Sequence, residues 1–353
     1  MSELRLNSDR APEHGRPRRV FVAGATGYIG RHVALELSAR GHQVVCFVRE
    51  HSGIGATVGP DQARRNLAGC EVRFGNVTQA RSLIEDGFRG EKFDAVVCCL
   101  ASRNGGVEDS WRIDYAASRK LLEVSRDSGV GHFILLSAIC VQKPRLAFQR
   151  AKLRMEEELV SSGMTYSVVR PTAFFKSLAG QVEALKQGRP FVLFDNDEAA
   201  CKPIGEADLA AFMADCLEDS SRHNRILPVG GPGKAVTARE RADMLFRLLG
   251  RKPRYRRVPI ALFDGLIPVL ELLARVFPRF RDRAEFARIG RYYATESMLV
   301  MDQTSGAYDA DATPSWGNQT LLDFYRQVLE DGLTGQELGD HSLFAGLSRT
   351  QES

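Results

Sequence analysis

Several features that would indicate other protein classes are absent from this sequence. No apolar run is long enough to cross a bilayer, because the most apolar stretch, residues 259–276, is interrupted by Asp264, Glu271 and Arg275. The 7 cysteines include no C-x-x-C pair, and no His/Cys spacing typical of a metal site occurs. No internal repeat or low-complexity tract is visible. These absences argue against transmembrane, metal-centred and solenoid proteins.

The chain also has little excess charge. Its 48 Lys and Arg residues against 44 Asp and Glu residues give a net charge of +4, too small to indicate nucleic-acid binding but compatible with an anionic ligand or a membrane surface. Four of the cysteines lie in apolar, strand-like runs. We therefore expect reduced, buried thiols and a reducing compartment. Those four are Cys46, Cys98, Cys99 and Cys140.

The N-terminal segment does not have the pattern of a secretory signal. Residues 1–19 are polar and contain no apolar core. Their arginines, Arg10, Arg16, Arg18 and Arg19, look more like a bacterial N-terminus than an organelle transit peptide at this length. The expectation from this segment is a bacterial, cytoplasmic protein.

One glycine-rich stretch organises the first half of the chain. The apolar run Val20–Ala23 predicts a buried strand, and Gly24, Gly27 and Gly30 follow with the spacing G-x-x-G-x-x-G before a segment of helical periodicity. The first glycine permits a tight turn, the second lets a pyrophosphate approach the backbone, and the third lets the helix pack close to the strand. The free N–H groups of the helix N-terminus attract phosphate. The stretch therefore predicts a dinucleotide site.

The residue after the second predicted strand indicates which dinucleotide binds. That strand, residues 43–48, ends at Arg49, and Arg31 is a possible second partner. An arginine here pairs with the 2′-phosphate of NADP, whereas an acidic residue binds the ribose hydroxyls of NAD. Glu50 follows directly, but Arg49 favours NADP. The alternative is that Arg49 is only a solvated strand end.

Further cofactor contacts are expected at the carboxyl ends of the other strands, where ligands bind in open parallel sheets. After the third strand, Asn76 is placed to meet the adenine, with a simple turn former as the alternative. The cofactor set predicted at the glycine loop and the strand ends is Gly24, Thr26, Gly27, Tyr28, Ile29, Gly30, Arg31, Arg49, Asn76, Leu100, Ala101, Ser102, Pro171, Thr172 and Phe174.

Strands alternate with helices through the first half, which predicts an α/β fold with a Rossmann-type, doubly wound parallel sheet. After Thr172 the regular alternation of strands and helices ends, and we expect a smaller C-terminal lobe that holds the substrate. The expected division is a flexible arm at 1–17, an NADP-binding domain at 18–175, a substrate lobe at 176–330, partly interleaved with the sheet, and a tail at 331–353.

An apolar segment at 259–278 follows the basic run 251–257. It is compatible with an amphipathic segment at a membrane surface, the wall of a pocket for a flat ligand, or a core helix. Core or pocket wall is favoured over membrane.

At the predicted end of the fifth strand the sequence resembles the short-chain dehydrogenase/reductase superfamily, in its atypical, extended (NmrA-like) branch. That branch has a serine here and usually a Tyr-x-x-x-Lys pair on the next helix. This chain has Ser137, then Phe148 and Lys152, so the lysine is present and phenylalanine replaces the tyrosine. The resemblance implies that Lys152 binds the nicotinamide ribose, unless it is a solvated helix lysine. Ser137 either orients substrate or water, or caps the strand end.

Longer runs narrow the resemblance to the NADPH-dependent 8-vinyl reductases of divinyl chlorophyllide, from about residue 18 to 329. The runs are residues 136–144, 170–178, 201–204 and 291–298, and one departure lies at 195–197. The resemblance implies reduction of the C8 vinyl group of divinyl chlorophyllide or protochlorophyllide by NADPH, in chlorophyll or bacteriochlorophyll synthesis. The expected partner is the tetrapyrrole substrate, with no nucleic acid. A monomer is favoured, and a weak association with the surface of photosynthetic membranes is left open.

The phenylalanine at 148 is chemically consistent with this resemblance. Reduction of a carbonyl localises charge on one oxygen and needs a positioned acid, whereas charge from reduction of a conjugated vinyl group spreads over the macrocycle. Phe148 therefore argues against a ketone or sugar reductase. Another atypical reductase, acting on a phenylpropanoid ether or a quinone, and a non-catalytic NADPH-binding regulator remain alternatives.

The same resemblance suggests residues for the substrate side. A basic residue, Lys176, Arg254 or Arg257, is a candidate partner for the substrate propionate. Tyr292 and Tyr293 are candidate proton donors, although paired tyrosines more often serve packing.

Overall fold

The computed structural model describes residues 16–51, 58–103, 105–196 and 198–332. Most of the predicted arm at 1–17 and of the predicted tail at 331–353 lies outside these residues.

A seven-stranded parallel sheet forms the centre of the molecule, in the order β3-β2-β1-β4-β5-β6-β9. This is the doubly wound arrangement that the alternating strands predict, with the strand order reversing beside β1. Because β1 lies between β2 and β4, its carboxyl end opens at this reversal. The strands are β1 Arg19–Ala23, β2 Gln43–Val48, β3 Glu71–Phe74, β4 Ala95–Cys98, β5 His132–Leu136, β6 Thr165–Pro171 and β9 Arg225–Val229.

Helices cover both faces of the sheet. On one face, α1 packs against α8 and both contribute to an apolar cluster with β1 and β2. On the other face, α4 and α5 form one continuous helical path through a π-helical segment, Ser110–Ala117, and pack near α6. The helices of this body are α1 Tyr28–Ala39, α2 Pro60–Asn66, α3 Ala80–Ser82 (continued by a π-helical turn, Leu83–Phe88), α4 Val107–Asp109, α5 Ser118–Asp127, α6 Ala147–Ser161 and α8 Glu206–Glu218.

The second half of the chain builds a smaller lobe with its own apolar cluster, centred on Phe175, Leu245 and Tyr325. Its short strands pair in twos, β7 with β11, β8 with β10 and β12 with β13. The strands are β7 Phe191–Phe194, β8 Ala200–Cys201, β10 Val236–Thr237, β11 Tyr255–Val258, β12 Val300–Met301 and β13 Tyr308–Asp309. The helices are α7 Val182–Lys186, α9 Ala238–Leu248, α10 Ala261–Val276, α11 Arg279–Thr295 and α12 Leu321–Asp331.

The two halves interleave. Strand β9 comes from the second half but pairs with β6 as the last strand of the central sheet, and α8 from the same half packs on α1. The nucleotide-binding body therefore uses residues on both sides of position 176.

The interpretation of 259–278 as a core helix is wrong. No residue of α10 is buried, because the helix packs on α11 along one side and leaves its other side open. No helix among the described residues is both long enough and apolar enough to cross a membrane.

Candidate active site

The glycine loop connects β1 to α1 by a turn that larger residues would block. Gly24 has a φ of +84°, and a Cβ there would lie 2.5 Å from the carbonyl oxygen of Cys99. A Cβ on Gly30 would overlap the carbonyl oxygen of Gly24. Helix α1 starts after Gly27 with no side-chain cap, so its first N–H groups point out of the helix end. An open, uncapped helix end beside an exposed glycine fits a nucleotide pyrophosphate.

Tyr28, the first residue of α1, anchors this loop to the neighbouring elements. Its hydroxyl donates to Glu206 at the start of α8 over 2.6 Å, and its ring lies edge-on to Phe174. Burial and the Glu206 carboxylate raise the pKa of Tyr28 well above its ordinary value, so the phenol stays neutral. The ammonium of Lys176 sits 4.8 Å from the centre of the same ring. The structure thus places Phe174 and Lys176 beside the glycine loop.

Arg49 stands at the carboxyl end of β2 among other cations. Its pKa is lowered, first by partial desolvation and then by the positive charges of Arg103 and Arg112, with Asp109 opposing. The carboxylate of Asp109 accepts from the Arg103 backbone N–H at 2.8 Å and from Arg112 at 2.6 Å. Three arginines and one aspartate therefore lie near one another, an excess of positive charge that an additional anion would relieve.

The predicted adenine contact, Asn76, serves the turn after β3. Its side-chain oxygen accepts from the backbone N–H of Thr78 at 3.0 Å and from the Thr78 hydroxyl at 2.8 Å. This is the turn-forming arrangement considered above for the residue. After β6, the Thr172 hydroxyl similarly donates to the carbonyl of Lys202.

A buried ion pair lies at the carboxyl ends of β4 and β5. The ammonium of Lys152, on α6, is 3.1 Å from an oxygen of Asp114, and the side chains are only 13% and 1% exposed. Burial alone would lower the pKa of Lys152, but the charge and hydrogen bonding of Asp114 outweigh it, so the pKa is raised and the ammonium stays charged. The other Asp114 oxygen accepts from the Ser102 backbone N–H. Lys152 is therefore a buried cation, not a solvated helix lysine.

A small gap at the same strand ends brings together three residues that the sequence analysis proposed separately. Leu100, Ser137 and Lys152 line it, together with Asp114 and Leu136. The order of the sheet produces this meeting, since β4 and β5 are neighbours and α6 follows β5.

Ser137 does not point its hydroxyl hydrogen toward solvent. It donates to the buried carboxylate of Glu156, which is one helical turn beyond Lys152 on α6. Arg170 donates to the same carboxylate from two nitrogens, at 3.1 and 2.5 Å. While this network holds, the Ser137 hydroxyl can accept a hydrogen bond from a ligand but cannot donate one.

An apolar region surrounds Phe148, the residue in the usual tyrosine position. The loop after β4 passes so close that a Cβ on Gly105 would lie 2.9 Å from Ile289 and 3.8 Å from Phe148. The candidate proton donors are on the same helix as Ile289, α11. Tyr292 donates to the carbonyls of Cys140 and Lys143 at 3.1 and 3.3 Å.

Tyr293 has a different environment from its neighbour. It is half-buried and its hydroxyl faces the thiol of Cys140. Burial and that thiol raise its pKa well above the ordinary value, so it keeps its proton. The two hydroxyls therefore differ in partner: that of Tyr292 donates to backbone carbonyls, whereas that of Tyr293 faces a thiol.

Helix α11 also caps the two helices that carry the ion pair. Glu285, 1% exposed, accepts from the backbone N–H of Ala147 at 2.6 Å, at the start of α6. Asp282 accepts from the backbone N–H of Val107 at 3.1 Å, at the start of α4. Acidic groups stabilise helix N-termini, so α11 holds both helices in place.

The chain matches known proteins along most of its length. A family model described as NAD(P)H-binding matches residues 24–220. A divinyl chlorophyllide a 8-vinyl-reductase of Oryza sativa subsp. indica is 55% identical over 331 residues, 92% of this chain and 82% of its own length. The corresponding protein of Zea mays is 53% identical with the same coverage. This chain belongs to the divinyl chlorophyllide a 8-vinyl-reductase family.

Membership of the divinyl chlorophyllide a 8-vinyl-reductase family confirms three of the expectations. The chain is an oxidoreductase with a nicotinamide cofactor, and its class of reaction is vinyl reduction in chlorophyll synthesis. Among solved structures, the NADPH-dependent quinone oxidoreductase of Escherichia coli has a TM-score of 0.63 at 17% identity, covering 88% of this chain and 99% of its own. That likeness shows the Rossmann-type fold alone.

The expected bacterial, cytoplasmic location is contradicted by the same relatives. The Oryza and Zea members of the 8-vinyl-reductase family are chloroplastic proteins. The arginines of residues 1–19 gave a misleading signal, because a short polar arm has no feature that reports its compartment. All seven cysteines lie among the described residues as free thiols, and the four named in the sequence analysis are buried. The reducing compartment stays a prediction.

Sequence reasoning missed four candidate site residues of this vinyl-reductase family member. Arg103 and Arg112 join Arg49, and Asp114 and Glu156 engage Lys152 and Ser137. Asp114 did carry a signal, because an aspartate on the apolar side of the helical run 111–126 needs a buried partner. The two arginines carried none, because they approach Arg49 only when β2 and the β4 loop come together.

Proposed function

We propose that this reductase uses NADPH in preference to NADH and converts the C8 vinyl group of 3,8-divinyl chlorophyllide, or its protochlorophyllide counterpart, to an ethyl group. The observation that carries the cofactor preference is the set of guanidinium groups, Arg49, Arg103 and Arg112, at the end of β2. A 2′-phosphate would neutralise part of this charge, and arginine binds phosphate with two parallel hydrogen bonds. The ribose of NADH offers no such anion.

The proposed cofactor residues bind different parts of the dinucleotide along the carboxyl edge of the sheet. The uncapped start of α1, with Gly27 and Thr26, holds the pyrophosphate. Lys152 donates to the nicotinamide ribose and so fixes the ring at the ends of β4 and β5. NADPH, when bound, supplies the hydride.

The residues around Phe148 determine what kind of reduction this site supports. Phe148, Ile139 and Ile289 contribute to an apolar cluster where a carbonyl reductase of this superfamily usually has its tyrosine. A localised oxyanion would have no positioned acid at Phe148, whereas a vinyl group in conjugation with a flat macrocycle needs less local charge stabilisation. Tyr293, neutral and half-buried, is the candidate donor of the proton that completes the ethyl group.

Ser137 and Glu156 act in this scheme as positioning residues. Their hydrogen bond joins the end of β5 to α6, and Arg170 on β6 holds the carboxylate from the other side. The arrangement keeps Lys152 at a constant place relative to the strand ends. Asp114 does the same from the π-helical segment Ser110–Ala117.

The substrate lobe offers an apolar wall and basic residues. The inner side of α10 carries Phe263, whose ring lies 5.6 Å from that of Phe194 on β7. Arg254 directly precedes β11 and Arg257 lies within it, beside β7, and both are candidates for the propionate. Lys176 lies instead against Tyr28, so we assign it to the cofactor side. The monomeric state remains a prediction.

Product analysis tests the proposal. The purified chain is incubated anaerobically with 3,8-divinyl chlorophyllide and either NADPH or NADH, and the 8-ethyl product is separated by chromatography. The expected result is product with NADPH and much less with NADH. Equal product with both would contradict the role of Arg49. Binding of NADPH without any ethyl product would contradict the activity and favour a regulator.

A further inference from the structure

Helix α10 has a row of exposed apolar side chains that its own fold leaves uncovered. Five residues, Leu262, Leu266, Val269, Leu272 and Val276, are between 48% and 71% exposed. Their spacing of three or four residues places them on one side of the helix, along about 21 Å of its length. We call this row the α10 stripe. Soluble proteins rarely expose a continuous apolar patch of this kind without a partner.

The α10 stripe lies apart from the side of the helix that packs on the substrate lobe. Half-buried Phe263 and Ile267 lie about 100° around the helix from Leu262 and Leu266, since each residue advances the helix by about that angle. Phe263 contacts Phe194, and a Cβ on Gly290 of α11 would touch it. Helix α10 therefore has two apolar sides. One packs against the substrate lobe, and the α10 stripe faces away from it.

Positive charge gathers at one end of the stripe. Arg275, Arg279, Arg281 and Arg283 are all exposed around the turn between α10 and α11. The guanidinium of Arg279 lies 5.6 and 5.3 Å from the ring centres of Phe277 and Phe280. Phe277 is exposed and Phe280 is half-buried. Aromatic rings beside arginines, next to an exposed aliphatic row, are typical of the boundary between lipid headgroups and acyl chains.

Helices α10 and α11 form a hairpin, the α10–α11 hairpin. The acidic residues of the hairpin do not cancel this charge at the surface. Asp264 and Glu271 are bound to Arg291 and Arg288 of α11, at 2.6 and 2.5 Å. Asp282 accepts from the backbone of Val107. The stripe is therefore bordered by cations, and a partner with negative charge beside an apolar layer is complementary to it.

We propose that the α10 stripe and the arginines at 275–283 dock the protein on the surface of an anionic lipid bilayer, with α10 lying in the interface plane. Helix α10 is too short and too often charged to span the bilayer, so the contact is peripheral. The inference does not depend on the cofactor or the substrate. Through Glu271, Arg288 and Glu285, the docked hairpin is joined to the start of α6.

Vesicle sedimentation tests the docking. The full chain is mixed with vesicles of phosphatidylglycerol and phosphatidylcholine, or of phosphatidylcholine alone, at low and high salt. We expect binding to the anionic vesicles that weakens with salt. The variant L266Q/V269Q/L272Q removes three apolar groups from the stripe, and its partition coefficient should fall by about tenfold or more.

A control variant carries the same change elsewhere. Ile84, Val160 and Ile226 are exposed by 42–52% and lie outside the hairpin, so I84Q/V160Q/I226Q should bind vesicles like the wild type. Both variants should bind NADPH normally, because neither alters the nucleotide site. No vesicle binding by the wild type, or equal binding by the stripe variant, would overturn the proposal. A wild-type dimer that the stripe variant dissociates, without vesicle binding, would assign the stripe to a second copy instead.

Discussion

Lys152 and Asp114 form a buried ion pair with 3.1 Å between the ammonium nitrogen and the carboxylate oxygen, and the second oxygen of Asp114 holds the backbone of Ser102. One carboxylate thus joins α6 to the loop after β4. Both segments belong to the proposed nicotinamide site. A single buried charge therefore sets the position of the lysine and keeps it protonated.

Replacement of Asp114 by asparagine tests this control of protonation. The amide keeps the shape but removes the charge, so burial would no longer be opposed and the pKa of Lys152 should fall. We expect weaker NADPH binding, by about 10–100-fold, and loss of activity beginning at a lower pH than in the wild type. The pH profile of kcat/KM is the measurement. If activity is lost at the same alkaline pH in the variant as in the wild type, Asp114 does not control the protonation of Lys152 and acts only on the fold. K152R, which keeps the charge, should retain part of the NADPH binding that K152A loses.

Arg49 is expected to determine the choice between the two nicotinamide cofactors. R49Q removes the charged fork proposed to bind the 2′-phosphate, so KM for NADPH should rise by about 10–100-fold while KM for NADH changes little. Steady-state kinetics with both cofactors measure the ratio. The control is R81Q, since Arg81 is 85% exposed and pairs with Glu85 on its own helix. An equal rise for NADPH and NADH would contradict a phosphate contact.

The two neighbouring tyrosines of α11 should differ when each is replaced by phenylalanine. Y293F removes the proposed proton donor, so kcat should fall and the solvent isotope effect on kcat should change. Y292F removes hydrogen bonds to the carbonyls of Cys140 and Lys143, at a cost of about 1–3 kcal/mol in the free energy of unfolding. Turnover and denaturant unfolding of both variants separate the roles. The assignment fails if Y293F turns over like the wild type.

A buried histidine should make the protein sensitive to acid. Burial, with help from His223 and Arg18, lowers the pKa of His132 to about 3. Between about pH 6.5, the ordinary value, and pH 3, the unfolded chain binds a proton that the folded chain does not, so stability falls as the pH falls through this window. The loss approaches about 5 kcal/mol at pH 3, at ~1.4 kcal/mol for each pKa unit.

Urea unfolding of wild type and H132Q at pH 4 to 7 measures this dependence. The glutamine variant cannot take up the proton, so its stability should fall less steeply with acid. The same change at exposed His51 is the control. A slope in H132Q equal to that of the wild type would assign the acid sensitivity to other groups.

The local sequence was sufficient for the strands, the glycine turn and the family. Strand β2 was predicted at its observed bounds, residues 43–48, because a short, continuous apolar run with turn formers on each side is typical of a strand buried on both faces. The conformations of Gly24 and Gly30 also follow from sequence, since a strand must turn into a helix within a few residues. Lys152 could be singled out because its spacing from Phe148 matches a known pattern.

Only the tertiary structure decided what these residues contact. Asp114 and Lys152 are far apart in the chain and meet because β4 and β5 are adjacent in the sheet. Arg103 and Arg112 approach Arg49 for the same reason, across β1. The outer side of α10 looked like core by composition, since hydropathy does not report which side of a helix is covered. Hydrophobic periodicity depends on residues that are neighbours in the chain. The formation of an ion pair and the covering of a helix face depend instead on how segments remote in sequence pack together.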